Sequence, residues 1–444
     1  MSYKSYEEYK DSNIEWIGEI PEHWDVRKMK NLIFFQEGPG LRNWQFTDDG
    51  IKVICVTNIT EEGIDFSNYK KFISEEEYKQ IYQHFTVNKG DLLLSSSGNS
   101  WGKVAEYLDD ELVILNTSTI RINENKTFGS ILNQSFIKYA LQSEAIREQL
   151  GLMMTGSCQP NFGPTHLAKV LLAYPNSKNT QEQIADYLDK RTSEIDENIA
   201  KNKKLILLLD EKKTALINQV VTKGLDPNVP MKDSGIEWIG KIPEHWNSRK
   251  INTLSIIGRG ASPRPIDDPI YFDINGDYSW VRISDVTSSK KYLLKTEEKL
   301  SVLGKSLSVP IEPGNIFISI AATVGKPIIS KIKCCIHDGF VYFKNLKIND
   351  GYLFYIFEGE ECYKGLGKLG TQLNLNRETI GKIHIPIPPK NEQNLIEDYL
   401  DKETSKIDKT INKIKENIDL LEEYKTSLIH NVVTGKIDVR GEEI

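Results

Sequence analysis

The sequence predicts an α+β protein: two mixed α/β domains separated by two long helices that form an antiparallel coiled coil, built as an internal pseudo-twofold repeat. Three observations lead there. One flanking segment is written twice, two divergent middles are rich in β-branched runs, and two charged segments of about 40 residues space their apolar positions four and three apart.

The duplication is explicit. Residues 11–24 read DSNIEWIGEIPEHW and residues 233–246 read DSGIEWIGKIPEHW, twelve of fourteen positions matching at an offset of 222. The repeat resumes at the far end of each unit, where DYLDKRTSEID at 186–196 matches DYLDKETSKID at 398–408 at an offset of 212. At that same offset Leu216-Ile217 and Val220-Val221-Thr222 match Leu428-Ile429 and Val432-Val433-Thr434. Between these anchors the copies diverge. A repeated scaffold around a changed middle is what a reader of two different targets needs.

The middles read as mixed α/β. Strands are expected at 51–59, 91–95 and 112–122 in the first copy, and at 278–286, 315–320 and 335–343 in the second, all β-branched runs bounded by Gly, Asn and Asp. Helical spacing of Phe136, Ile137, Ala140, Leu141, Ile146 and Leu150 predicts a helix over 133–150, with a shorter one at 350–358. Ser74-x-x-Glu77 has capping-box spacing for a small helix at 75–83.

Residues 181–222 and 391–434 are the long helices. Thr180-x-x-Gln183 and Asn391 fit their starts, and Gly224 and Gly435 their ends. The first seam runs Ile195, Ile199, Asn202, Ile206, Leu209, Lys213, Leu216, Val220; the second runs Ile407, Ile411, Ile414, Ile418, Leu421, Lys425, Leu428, Val432. These are the a and d positions of one shared register, and the remaining positions are densely charged. Neither helix has enough apolar surface to stand alone, so they are expected to pair, with one globular domain near each end of the resulting rod. Asn202 in the seam either fixes register or is a tolerated polar position near a helix end.

Composition bounds the function. At 444 residues with 39% hydrophobic and 27% charged residues, the chain is ordinary for a globular protein of two or three domains. No apolar run reaches a membrane-spanning length of ~18 residues, and Met1-Ser2-Tyr3-Lys4 does not begin a signal peptide, so a cytoplasmic protein is expected. The five cysteines, Cys55, Cys158, Cys334, Cys335 and Cys362, form no C-x-x-C pair and are expected as free thiols. The net charge of −7 opposes phosphate binding, but it is unevenly spread. Residues 1–180 hold 18 basic and 24 acidic side chains (net −6), whereas 231–390 hold 22 basic and 17 acidic (net +5).

Several segments resemble the specificity subunits of type I restriction–modification systems. The repeated I-P-E-H-W and the E-Q…D-Y-L-D helix start carry the likeness. So do Gly156-x-x-Gln159-x-Asn161 with Gln181-x-Gln183, and their counterparts Gly370-Thr371-Gln372-x-Asn374, Ile385-Pro386-Ile387-Pro388-Pro389 and Glu392-Gln393. Gly90-Asp91-Leu92-Leu93-Leu94-Ser95 with Gly102, and Gly314-Asn315-Ile316-Phe317-Ile318-Ser319 with Gly325, resemble the family's strand-loop, and Trp280-Val281-Arg282-Ile283-Ser284-Asp285-Val286 is also typical. The first copy departs at Leu172-Ala173-Tyr174-Pro175, where the family favours an Ile-Pro-rich run.

The resemblance implies 1–180 and 225–390 as target-recognition domains, 181–224 and 391–436 as spacer helices, and 437–444 as a tail. It further implies a non-catalytic subunit that binds double-stranded DNA at a split recognition sequence and docks two methyltransferase subunits. S-adenosylmethionine then belongs to the methyltransferase, ATP and Mg to the restriction subunits, and no cofactor or metal to this chain. A duplicated coiled-coil adaptor that binds only proteins is the alternative that the acidic net charge favours.

Base readers are expected in the divergent loops, on Arg, Lys, Asn, Gln and Ser. In the first copy these are Arg42, Asn43, Trp44, Ser97, Asn99, Lys103 and Gln159; in the second, Arg259, Arg264, Thr323, Lys326 and Gln372. Asn161 and Asn374, repeated beside a divergent loop, are turn residues or phosphate contacts. Trp16, Trp24, Trp238 and Trp246 lie in the repeated flank and are expected to pack, and His23 and His245 to be structural. Gly365-x-Gly367-x-x-Gly370 matches a dinucleotide fingerprint by letters only, without a preceding strand. No G-x-x-x-x-G-K-[ST], Asn-Pro-Pro-aromatic or H-E-x-x-H motif is present, so no catalytic residue is assigned.

Overall fold

The structure is a computed structural model and describes residues 4–125, 129–154, 160–366 and 375–442. The chain divides into two compact units, Met1–Lys201 with Glu416–Ile444, and Asn202–Lys415. Each unit therefore owns one half of each long helix.

In the first unit, one four-stranded sheet has the order Phe72–Ile73, Ile51–Ile54, Val113–Leu115, Thr86–Val87, with Ile51–Ile54 and Val113–Leu115 parallel. A second sheet, all antiparallel, runs Ile33–Glu37, Thr119–Glu124, Leu92–Ser95, Val104–Glu106. The second unit repeats this plan. Its sheets run Glu298–Leu300, Tyr278–Val281, Cys334–Ile336, Val309–Ile311, and Ile256–Arg259, Phe340–Lys344, Ile316–Ser319, Pro327–Ser330, Tyr292–Leu293. The parallel pair recurs at the same place, Tyr278–Val281 with Cys334–Ile336. Four cysteines, Cys55, Cys334, Cys335 and Cys362, are buried free thiols; Cys158 lies outside the described residues.

Five expected elements divide or end early. The run 112–122 is two strands in different sheets, Val113–Leu115 and Thr119–Glu124, because Asn116-Thr117-Ser118 turns with Ser118 at φ 61. The run 335–343 splits in the same place, at His337-Asp338-Gly339. The run 278–286 is a strand only to Val281, since Asp285 accepts from the Arg282 backbone N–H at 2.8 Å and caps a helix, Ile283–Ser288. Asn58 does the same for Cys55 at 2.9 Å and ends the strand expected over 51–59 at Ile54. The helix expected over 133–150 breaks at Ser143 into Gln134–Gln142 and Glu144–Met153.

The repeated flank is structural. Trp24–Lys28 pairs antiparallel with Leu171–Pro175, and Asn247–Lys250 with His384–Ile387, so each copy of the flank braces the strand that feeds its long helix. Trp24 and Trp246 are fully buried. The chain turns after each long helix at a glycine with positive φ, Gly224 and Gly435. A side chain at Gly224 would lie 3.2 Å from Trp246, and one at Gly435 would lie 2.3 Å from Pro21.

The long helices, Lys178–Lys223 and Lys390–Val433, contain 46 and 44 residues, about 69 and 66 Å at a rise of ~1.5 Å per residue. They pair as an antiparallel coiled coil. Seventeen residues forward from Asp196 to Lys213 are met by seventeen back from Lys425 to Asp408: Lys425 pairs with Asp196 at 2.7 Å in the first unit, and Lys213 with Asp408 at 2.8 Å in the second. At an offset of 212 these two ion pairs are copies of each other. Ile195, Ile199, Val220, Ile411, Ile418, Leu428 and Val432 are buried; Ile206, Leu209, Leu216, Ile407, Ile414 and Leu421 are half-buried, as is Asn202. No helix among the described residues is long and apolar enough to cross a membrane.

Burial alone would push the Asp408 carboxyl up. The hydrogen bond and charge of Lys213, with Lys290 beside them, outweigh burial and hold it below the usual carboxylate range. A lowered folded-state value means stability that is present above the unfolded carboxylate value, about 4, and lost as pH falls through the folded one. Asp408→Asn is expected to cost about 1–2 kcal/mol at pH 7 and to flatten the loss of stability below pH ~4. Denaturant titrations at both pH values check this; an unchanged acid slope contradicts it.

Candidate nucleic-acid interface

The two breaks in the β-runs create the same feature in both units, a cluster of loops at one end of the sheets. In the first unit the turn 116–118 is held by three hydrogen bonds to Ser96 and Glu37. The Ser96 backbone N–H and hydroxyl both donate to the Ser118 carbonyl, at 2.9 and 3.0 Å, and the Ser118 N–H donates to Glu37 Oε1 at 3.1 Å. Gly38 permits this, because a Cβ there would lie 2.1 Å from the Asn116 carbonyl oxygen. The loop after Leu92–Ser95 joins them: Ser97 bridges Asn161, and the Phe162 N–H donates to the Ser96 carbonyl at 3.0 Å. Ser97, Asn99 and Asn161 therefore belong to one cluster.

Arg42, Asn43 and Trp44 sit elsewhere in this unit, on a short turn. The Gln45 side chain caps it by accepting from the Arg42 N–H at 2.9 Å while donating to the Tyr82 hydroxyl at 2.8 Å. Leu41 and Phe46 anchor the turn in the core, and Trp44 between them is 78% exposed. Lys103 lines a groove with Glu61, Glu62, Asp65, Glu106 and Asp109, a setting that repels phosphate.

In the second unit Arg259 and Arg264 converge on the turn 337–339. The Arg259 Nε donates to the Asp338 carbonyl at 2.6 Å, and the Arg264 guanidinium pairs with the Asp338 carboxylate at 3.2 Å. Thr323 lies across from Thr287, their hydroxyls 2.8 Å apart. Lys326 donates to the Thr287 carbonyl at 2.9 Å, and burial pushes its ammonium down despite the charge of Glu358. The Arg282 guanidinium is held by both oxygens of Glu298. His337 is half-buried, its pKa lowered chiefly by its partial burial, and it accepts from the Gly339 N–H at 2.9 Å. Gln159, Gln372 and Asn374 lie outside the described residues.

Trp24 and Trp246 pack in the core and Trp16 and Trp238 are half-buried, whereas His23 and His245 are exposed, and the indole partners differ between the two copies. The Trp246 Nε1 donates to Glu392 at 2.9 Å, and the other oxygen of Glu392 meets His245 at 2.8 Å. The Trp24 Nε1 is buried with no partner among the described residues. Glu37, Ser118, Ser262 and Asp338 were not among the expected readers. The signal that marks them is the pair of turn-forming triplets, Asn-Thr-Ser and His-Asp-Gly, that interrupt two long β-branched runs.

Comparison with known proteins places the chain. Residues 21–207 and 243–420 each match the family described as type I restriction modification DNA specificity domain. The chain belongs to this family and carries its domain twice. Over 98% of both chains it is 25% identical to the specificity subunit of the type I restriction enzyme MjaVIII of Methanocaldococcus jannaschii. The MjaX specificity subunit of the same organism is also 25% identical, across 97% of this chain and 98% of its own. Among solved structures, a chain from a study of type I restriction–modification complex assembly superposes with a TM-score of 0.70 at 16% identity, covering 93% of this chain and 98% of the other. The HsdS subunit of Thermoanaerobacter tengcongensis gives 0.51 at 15% identity over 94% and 98%. At such identities these two likenesses support the fold alone.

Proposed function

We propose that each unit reads one half of a split double-stranded DNA sequence, that the paired helices set the gap between the halves, and that the chain docks two methyltransferase subunits without catalysing a reaction itself. In this reading S-adenosylmethionine is bound by the methyltransferase subunits, and ATP and Mg by restriction subunits joined through the complex. The observation that carries it is one loop cluster built twice on the same strand order and lined by different side chains: Glu37, Ser118, Ser97 and Asn99 in one copy, Arg259, Arg264, Asp338 and Thr323 in the other. A scaffold that keeps its sheets and changes its loop chemistry supports two different readouts. Linked readers add their modest discriminations, ~1–3 kcal/mol per good base contact, when both are engaged at once.

Exchanging residues 36–170 for the corresponding segment of another family member is expected to change the bases of one half-site and leave the other half-site intact. Sequencing of methylated sites in a host carrying the exchanged gene checks it. A change in both halves, or in neither, contradicts modular reading. Binding of the methyltransferase complex to random DNA is further expected to weaken steeply with salt, which an adaptor that binds only proteins would not show.

A further inference from the structure

We propose that Asp338 is a positioning residue for DNA readout by the second unit, its carboxylate holding the Arg264 guanidinium beside Arg259, which the same residue's backbone carbonyl anchors, so that the Arg264 donors meet the base edges of a half-site. This rests on the functional reading above and names how one of its two sites is organised.

The geometry joins two arginines to one residue. Arg264 reaches Asp338 Oδ2 at 3.2 Å while its side chain stays 72% exposed, and Arg259 Nε donates to the Asp338 carbonyl at 2.6 Å. The Ser262 hydroxyl donates to Asp338 Oδ1 at 2.8 Å, so both carboxylate oxygens are engaged. The Tyr271 hydroxyl donates to the Arg264 carbonyl at 2.9 Å and ties down the backbone behind the guanidinium. The turn itself is packed hard. A Cβ at Gly260 would lie 2.0 Å from the His337 carbonyl oxygen, one at Gly339 would lie 2.4 Å from the His337 ring, and that ring lies against Phe340 and Trp280. The Ser262 hydrogen bond holds the Asp338 carboxyl below the usual carboxylate range, and the Arg264 charge adds to it.

A carboxylate among arginines is the wrong choice for phosphate affinity, because it repels phosphate and partly neutralises the cations. It is the right choice for sequence reading, which needs guanidinium donors held in place before they meet a base. The first unit supports this by contrast. Where the strand order repeats, Thr117 stands in place of Asp338 and Glu37 in place of Arg259. The charges at this loop cluster are thus rearranged between copies while the turn and the close approach at Gly38 and Gly260 are kept.

The test uses the full chain with its methyltransferase subunits and a pool of randomised duplexes, sequencing the bound fraction. The wild type is expected to enrich a split motif. Asp338→Ala is expected to relax one to three adjacent base pairs of one half-site by tenfold or more, leave the other half-site unchanged, and keep or raise affinity for random DNA. Arg264→Lys is expected to relax some of the same base pairs. Asp338→Asn, which keeps the shape and loses the charge, should fall between. A purely structural role would weaken binding without confining the change to a few base pairs of one half. An unaltered motif in both Asp338 variants overturns the positioning role, and so does loss of both half-sites together. Failure of the wild type to enrich any motif instead overturns the reading of DNA recognition itself.

Discussion

Inserting seven residues after Lys204 in the first long helix and seven after Glu416 in the second is expected to lengthen the gap between the half-sites by about 3 base pairs, from ~10.5 Å of added helix at ~3.4 Å per base pair, while the bases of both halves stay the same. Seven residues are one full repeat of the seam, so Ile195, Ile199 and Val220 keep facing the partner helix. Inserting them in one helix only is a different experiment. The antiparallel register, marked by Lys425 with Asp196 and Lys213 with Asp408, can then be kept at one end only. That variant is expected to lose soluble, folded protein. The gap is read from methylated sites in a host that carries the gene, and an unchanged gap would falsify the ruler.

The second large effect is a matched pair at equivalent positions. Thr180 and Glu392 occupy the same place in the repeat, as the following glutamines show. Gln181 accepts from the Asn133 N–H and donates to the Pro175 carbonyl, and Gln393 accepts from the Asn349 N–H and donates to the Pro388 carbonyl. Glu392→Thr leaves the buried Trp246 indole N–H without an acceptor and should destabilise the second unit by about 1–3 kcal/mol. Thr180→Glu offers the Trp24 indole an acceptor, which it does not have among the described residues, and should stabilise the first unit by about 1 kcal/mol. Denaturant titrations monitored by tryptophan fluorescence read both. If the two substitutions shift stability in the same direction, the two positions are not equivalent.

Much of this fold was legible because its signals are periodic or duplicated. The 4-3 spacing from Ile195 to Val220 and from Ile407 to Val432 requires a helical partner, and the double I-P-E-H-W requires two copies of one scaffold. The loop clusters were harder to read for a physical reason. Residues 112–122 and 335–343 are apolar and β-branched on both sides of a three-residue turn, so the period continues where the chain does not. Only Ser118 at positive φ and the glycine at 339 reveal the corner. Asp338 was invisible as a site residue because its importance lies in what it meets: Ser262 and Arg264 come from a strand end more than seventy residues away in sequence. Lys103 and Lys326 illustrate the converse, since a basic residue in a divergent loop says nothing of the carboxylates or carbonyls that surround it.

Because the first unit is interrupted and the second is continuous, synthesis order and folding order diverge. A ribosome finishes every residue of Asn202–Lys415 before it makes Glu416–Ile444, the piece that completes Met1–Lys201. The usual expectation that the amino-terminal domain matures first on the nascent chain is reversed here. A premature stop codon at position 416 would therefore strike the half of the protein that was translated first, and leave the later half whole.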